Sequence, residues 1–234
     1  FRVRDIAAGG QGAPLVPAFH DGVFRATDHT RAVINIGGIA NITLLALGEP
    51  AWGFDCGPGN CLMDLWTAQH GRGLFDRDGE WSASGSVNPG LLTKMLHEPY
   101  FQLPPPKSTG RDLFNAAWLA AHVPPGDAPE NVQATLMQLT VRGIADDVVR
   151  QAAGARTLLV CGGGAQNPVL MLELARALPD IDVASTDICG VPPQQVEALA
   201  FAWLARQFME RADINLTRTT GARHPVPLGC LTRA

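Results

Sequence analysis

The chain has 234 residues, 46% of them apolar and 17% charged, with a net charge of −4. Such a composition suits a well-buried globular protein of one large or two small domains. Scattered Lys and Arg residues exclude a nucleic-acid footprint, and no apolar run approaches the roughly 20 residues that cross a bilayer, so neither nucleic acid nor membrane is an expected partner.

The chain opens, without a methionine, in what reads as the middle of a strand, Phe1-Arg2-Val3-Arg4-Asp5, and a piece of a longer protein is expected. Residues 9–20 hold three glycines and two prolines and predict a shaped loop. Ala32–Ile36 and Ile39–Ala46 are β-branched, apolar strands joined through Gly37-Gly38 as a hairpin. Ala51–Phe54 is a third strand, so the first half predicts an antiparallel meander. From Cys61 the period changes to that of a helix carrying Leu62, Leu65 and Trp66. Asp76–Gly85 reads as loop, and Pro89–His97 as a short helix opening on proline. Pro104-Pro105-Pro106 is a rigid lead into Lys107-Ser108-Thr109-Gly110-Arg111. Asp112 opens a helix to about His122. Asn131–Gln151 is the longest helical pattern, with Val132, Leu136, Leu139, Ile144 and Val148 near one face. Thr157–Val160 is a buried strand, Pro168–Leu178 a helix, Ile181–Ala184 a strand and Val196–Met209 an apolar helix. Strands alternating with helices in the second half indicate an α/β class.

Three Gly-rich turns carry the chemistry. In Gly53-Phe54-Asp55-Cys56-Gly57-Pro58-Gly59-Asn60 an apolar strand delivers one carboxylate, Asp55, into a turn whose amides can hold an anion. The same residues also read as a plain strand-to-helix turn in which Asp55 caps the helix. Asn35-Ile36-Gly37-Gly38-Ile39-Ala40-Asn41 is a two-glycine hairpin, but its flanking amides need partners that a ligand can supply. Cys161-Gly162-Gly163-Gly164-Ala165-Gln166-Asn167 lets backbone approach a planar or phosphorylated ligand. None of the three fits the Rossmann or Walker A pattern. Together they suggest a nucleotide cleft built from hairpins.

Glu197 stands at the start of the last apolar helix, where an acid also serves the helix dipole. Lys107–Arg111 suits a phosphate or sugar acid, or is an exposed basic loop. The six histidines are dispersed and read as surface or packing residues. Five cysteines (Cys56, Cys61, Cys161, Cys189 and Cys230) with no C-x-x-C pair argue for reduced thiols and against a structural zinc site. With no secretory-signal pattern at the opening, a cytoplasmic setting is expected.

Taken in order, Gly9–Pro17, Asn35–Asn41, Gly53–Asn60, Lys107–Arg111, Cys161–Asn167, Glu197–Leu204, Thr220-Gly221-Ala222 and Leu228-Gly229 closely resemble the anhydro-N-acetylmuramic acid kinase family of the sugar kinase–actin superfamily. The resemblance implies an actin/sugar-kinase-like (ribonuclease H-like) fold, with a mixed sheet and helices around the meander. It implies an enzyme that uses ATP and Mg²⁺ to open 1,6-anhydro-N-acetylmuramic acid with water and phosphorylate O6, in cell-wall recycling. Asp55 would be the base activating that water. Asn35, Gly37, Gly38, Asn41, Gly57, Gly59 and Asn60 would serve the phosphates, and Gly162, Gly163, Gly164 and Asn167 the adenosine. Arg2, Arg4, Asp5 and Gln11 would lie on the sugar side, with Glu197 near sugar or water. No metal ligand is assigned, and the resemblance allows a homodimer.

The family's Gly/Ser/Thr-rich phosphate loop has no counterpart here, so the chain by itself is expected to be inactive. Cys56 stands where Thr is usual, Gln166 where His is common, and Gln194-Gln195 where acids often precede Glu197. Residues 1–195 are expected as one domain, and 196–234 as a helix and tail packing back on an N-terminal domain. Two other functions fit parts of the pattern. An ATP-independent glycoside hydrolase would use Asp55 and Glu197 as its carboxylate pair, and a non-catalytic nucleotide-binding module would need neither.

Overall fold

The computed structural model describes residues 1–231. Its centre is one mixed five-stranded sheet in the order β3-β2-β1-β4-β5. Strands β1 (Thr30–Ile36), β2 (Ile39–Leu45) and β3 (Trp52–Pro58) form the expected antiparallel meander. Strands β4 (Ala155–Cys161) and β5 (Asp182–Ser185) continue it in parallel from β1. The sheet is mixed because tight turns can join only antiparallel neighbours, whereas β4 arrives after a long helical crossover.

Side-chain alternation sorts the strands onto two faces. Ala32, Ile34, Ile36, Ile42, Leu44, Phe54, Leu158 and Val160 face the larger core, beneath α3 (Cys61–Gln69), α5 (Pro89–Leu96), α6 (Ala116–His122), α7 (Pro129–Gln151) and α8 (Pro168–Ala177). The α7 residues Val132, Leu136, Leu139, Ile144 and Val148 all lie in it, as their spacing predicts. Each such fully buried side chain contributes about 2 kcal/mol relative to exposure. Val33, Leu45, Leu159 and Cys161 face the other way, onto Phe19 and Phe24 of α2 (Val16–Phe24) and Val196 and Ala200 of α9 (Val196–Met209).

Several local expectations are corrected. The opening residues form helix α1 (Arg2–Ala7), not a strand. Apolar–basic alternation over so few residues suits either period, and the helix is held where Asp5 turns inward to bond Gly12 and Thr220. Helix α2 lies partly inside the expected 9–20 loop. Asp76 caps a short helix, α4 (Glu80–Ser84), by accepting from the amides of Trp81 and Ser82, where loop was expected. Helix α6 starts at Ala116 rather than Asp112, because Asn115 Oδ1 accepts from the amides of Ala117 and Trp118. Leu204, Ile214, Leu216 and Leu228 pack on Leu15 and Ala18.

Candidate active site

The site begins as a row across the sheet. Asn35 is paired with Asn41, Asn41 with Asp55, and Asn35 on its other side with Cys161. Residues up to 126 positions apart thus stand shoulder to shoulder on the face turned toward α2 and α9. A register shift between Ala40 and Asn41 marks a bulge where β3 leaves the row, a device that commonly re-aims a side chain at a sheet rim. Burial pushes the Cys161 thiol up to about 12, so it enters as a neutral group.

Asp55 is the fourth residue of β3, which continues to Pro58; it neither ends the strand nor caps α3. Its Oδ2 accepts from Ser108 Oγ at 2.9 Å and from the Thr109 amide at 3.0 Å. Its own amide donates to the Lys107 carbonyl at 3.1 Å, and its carbonyl accepts from the Tyr100 hydroxyl at 2.6 Å. Among the described residues no group bonds Oδ1, which is left for a ligand.

The strap that grips Asp55 is itself anchored. Lys107 is buried, its Nζ 3.0 Å from Asp147 of α7 and 5.1 Å from the Tyr100 ring centroid. The Lys107 charge is therefore an internal fastening, neither a phosphate ligand nor part of an exposed basic loop. Arg111, at the other end of the strap, is exposed and lies against Gly38.

The turn after Asp55 does not offer its amides to an anion. Gly59 and Cys61 donate to the Gly38 carbonyl and Asn60 to the Gly37 carbonyl, at 2.8–3.1 Å. The tip of the β1–β2 hairpin thereby occupies the N-terminus of α3. Gly57 (φ 147°) packs on Phe101 and Gly59 on the hairpin backbone, so these glycines serve close approach. Gly164 likewise packs on Ile36. Gly162 takes φ 79° and donates its amide to the Pro193 carbonyl, which ties the third turn to the start of α9.

Between the row and α2/α9 lies a cavity of about 500 Å³. Asn35, Asn41 and Asp55 line it from the sheet, Gly37, Gly162 and Gly163 from the turns, and Gln194 and Glu197 from the α9 side. Among the described residues, no Lys or Arg lines it. Val16 and Pro17 of α2 supply apolar walls. A second cavity of about 390 Å³ shares Gly163 and Gln194 with the first. It is lined by Asn60, Asp64 and Asn167, with Phe75 beside them. Desolvation lifts the Asp64 carboxyl to about 6, with Arg111 pulling the other way. Asn167 also caps α8 through its side chain.

The fold thus brings together Asp55, Asn35, Gly37, Asn41, Gly162, Gly163 and Glu197, with Asn60 and Asn167 next door. It does not bring in Arg2 and Arg4, which are exposed on α1, or Gln11. Asp5 is fully buried, with Oδ2 accepting from the Gly12 amide and Oδ1 from the Thr220 hydroxyl, both at 2.7 Å. Its carboxylate closes the Gly9–Gly12 loop onto the C-terminal segment. Gly38 and Gly164 support the walls from behind. His20 was missed: it lines the first cavity and is fully buried, not a surface group. Its signal was a lone imidazole inside the apolar run Leu15-Val16-Pro17-Ala18-Phe19. Among the described residues, no three or more His, Cys, Asp or Glu lie close enough to hold a metal ion.

The family model for anhydro-N-acetylmuramic acid kinase matches residues 1–234. The chain belongs to that family. An anhydro-N-acetylmuramic acid kinase of Chromobacterium violaceum is 53% identical over 234 residues, and one of Variovorax paradoxus 54% over 238. In each case 99% of this chain is matched, and it spans 64% of the relative's length. Among solved structures, the activator of the 2-hydroxyisocaproyl-CoA dehydratase from Clostridium difficile superposes with a TM-score of 0.51 over 86% of this chain and 69% of its own, at 17% identity. The chain shares a mixed α/β fold with that activator, of the α/β class expected from the sequence.

Proposed function

We propose that the complete protein is an ATP-dependent kinase that opens 1,6-anhydro-N-acetylmuramic acid with water and phosphorylates O6, giving N-acetylmuramic acid 6-phosphate for cell-wall recycling in the cytoplasm. Asp55 carries the reading. Its Oδ2 is clamped while Asp55 lines a cavity with apolar walls, amides, two carboxylates and, among the described residues, no cation. The apolar walls suit the face of a bicyclic sugar, and the amides can hydrogen-bond its polar groups.

In the reaction a water attacks the anomeric carbon and gives its proton to Asp55. The bond from that carbon to O6 breaks, and O6 takes the γ-phosphoryl group as ADP leaves. Orientation of the water by a fixed base accounts for much of the rate, because the reactants are held rather than encountered. Glu197, across the cavity, would hold the sugar or the water. The triphosphate would pass over Gly163, with adenosine toward Asn60, Asp64 and Asn167 and phosphates toward Asn35, Gly37 and Asn41. Mg²⁺ would be held chiefly by phosphate oxygens and water and would neutralise phosphate charge.

In the complete gene product, Asp55→Asn should lower kcat about 10³-fold and leave nucleotide affinity within twofold. Turnover at the parent rate would remove Asp55 from the mechanism. Sugar consumption in the absence of ATP would instead point to the hydrolase.

A further inference from the structure

His20 lies on α2, beneath the same cavity, and the reaction above does not use it. The ring is fully buried between aromatic neighbours, with centroids 6.3 Å from Phe19 and 5.7 Å from Phe24. Nδ1 is 2.9 Å from the hydroxyl of Thr43, a buried residue on β2 two positions from Asn41. That bond fixes the ring's orientation. Nε2 has no hydrogen-bond partner among the described residues, although it is buried. An orphaned polar atom in a packed interior is costly, and native structures rarely leave one without a ligand or water to satisfy it.

We propose that His20 Nε2 is a sugar-binding group of the first cavity, contributing one hydrogen bond to a hydroxyl or amide of the amino sugar. The sugar is favoured over the nucleotide because His20 lines the cavity of Asp55 and Glu197 and not the neighbouring one of Asn60 and Asp64. An uncharged group is favoured because the ring is itself neutral, burial holding its pKa down at about 3. A neutral imidazole brings no charge to offset a phosphate or carboxylate, and it suits a hydroxyl, which can donate or accept. Thr43 can likewise donate or accept, so Nε2 can present either its proton or its lone pair.

This inference rests on the sugar-kinase reading, and one titration separates the two. The complete protein, with ¹⁵N-labelled histidine, is titrated with 1,6-anhydro-N-acetylmuramic acid without nucleotide, and His20→Phe identifies the resonance. The His20 Nε2 signal should move by several ppm at saturation, and His20→Phe should raise the sugar Kd about tenfold while ATP affinity stays within twofold. A parent protein that binds the sugar with an unmoved Nε2 signal overturns the inference and spares the kinase reading. So does a folded His20→Phe variant with the parent Kd. If the parent binds no anhydro sugar, the kinase reading fails and the inference falls with it. Should His20→Phe not fold, the resonance is identified through His20→Gln and the parent titration decides.

Discussion

Four hydrogen bonds hold Asp55, and all come from two short segments, Tyr100 and Lys107–Thr109. Two fix the main chain and two fix Oδ2, which holds the carboxylate in place where Asp55 lines the cavity. Among the described residues, Ser108 Oγ is the one side-chain donor to that carboxylate, which makes it a positioning residue. Ser108→Ala removes one of the two restraints on Oδ2 but leaves the Thr109 amide. The expected result is a fall in kcat of about three- to tenfold with KM for the sugar within twofold, since a misplaced base harms the transition state more than binding. Ser108→Thr, which keeps the hydroxyl, should recover most of the loss. Steady-state kinetics on the complete protein check this, and an unchanged kcat in Ser108→Ala would assign the bond no role in catalysis.

At the scale of elements, the hairpin tip and the start of α3 act as one unit. The carbonyls of Gly37 and Gly38 satisfy amides that α3 would otherwise leave open at its N-terminus. The contact is so close that a Cβ on Gly59 would collide with the Gly37 carbonyl oxygen and crowd Ala40. At Gly37 itself a Cβ would meet nothing nearer than 3.8 Å. Gly59→Ala should therefore cost about 2–3 kcal/mol from overpacking, and Gly37→Ala under about 1 kcal/mol. Urea unfolding of the two variants decides it, and equal midpoints would show that the turn yields without strain.

For the whole molecule, the buried imidazole makes stability depend on pH in a defined window. An unfolded histidine takes a proton near 6.5, whereas His20 in the fold resists until about 3. As pH falls through that interval the unfolded state binds a proton the native state refuses, so stability drops. The contribution is complete above about 6.5 and is lost progressively toward 3, by roughly 2–3 kcal/mol at pH 4.5. Unfolding free energies of the parent and His20→Phe at pH 7.5 and 4.5 give the measurement. The variant should lose less over that step by about this amount, and parallel losses would rule the effect out.

The three meander strands, helices α3, α5, α7, α8 and α9, and the three Gly-rich turns were legible in the chain itself. Their causes are local: β-branched runs, a 3.6-residue apolar period, prolines at helix starts and glycines where backbones touch. Asp55, Asn35 and Asn41 could be singled out on the same basis, as polar groups within apolar stretches. What each does was not legible, because that depends on partners far away in sequence. Only register put Asp55, Asn41 and Asn35 into one row. Only packing made Lys107 a buried fastening for the strap, turned Asp5 inward onto Thr220, closed the amides of Gly59 and Asn60 against the hairpin, and left His20 Nε2 without a partner. Short-range order follows from backbone sterics and residue period, whereas a site is made of contacts across the fold, whose energies exist only once the chain has closed on itself.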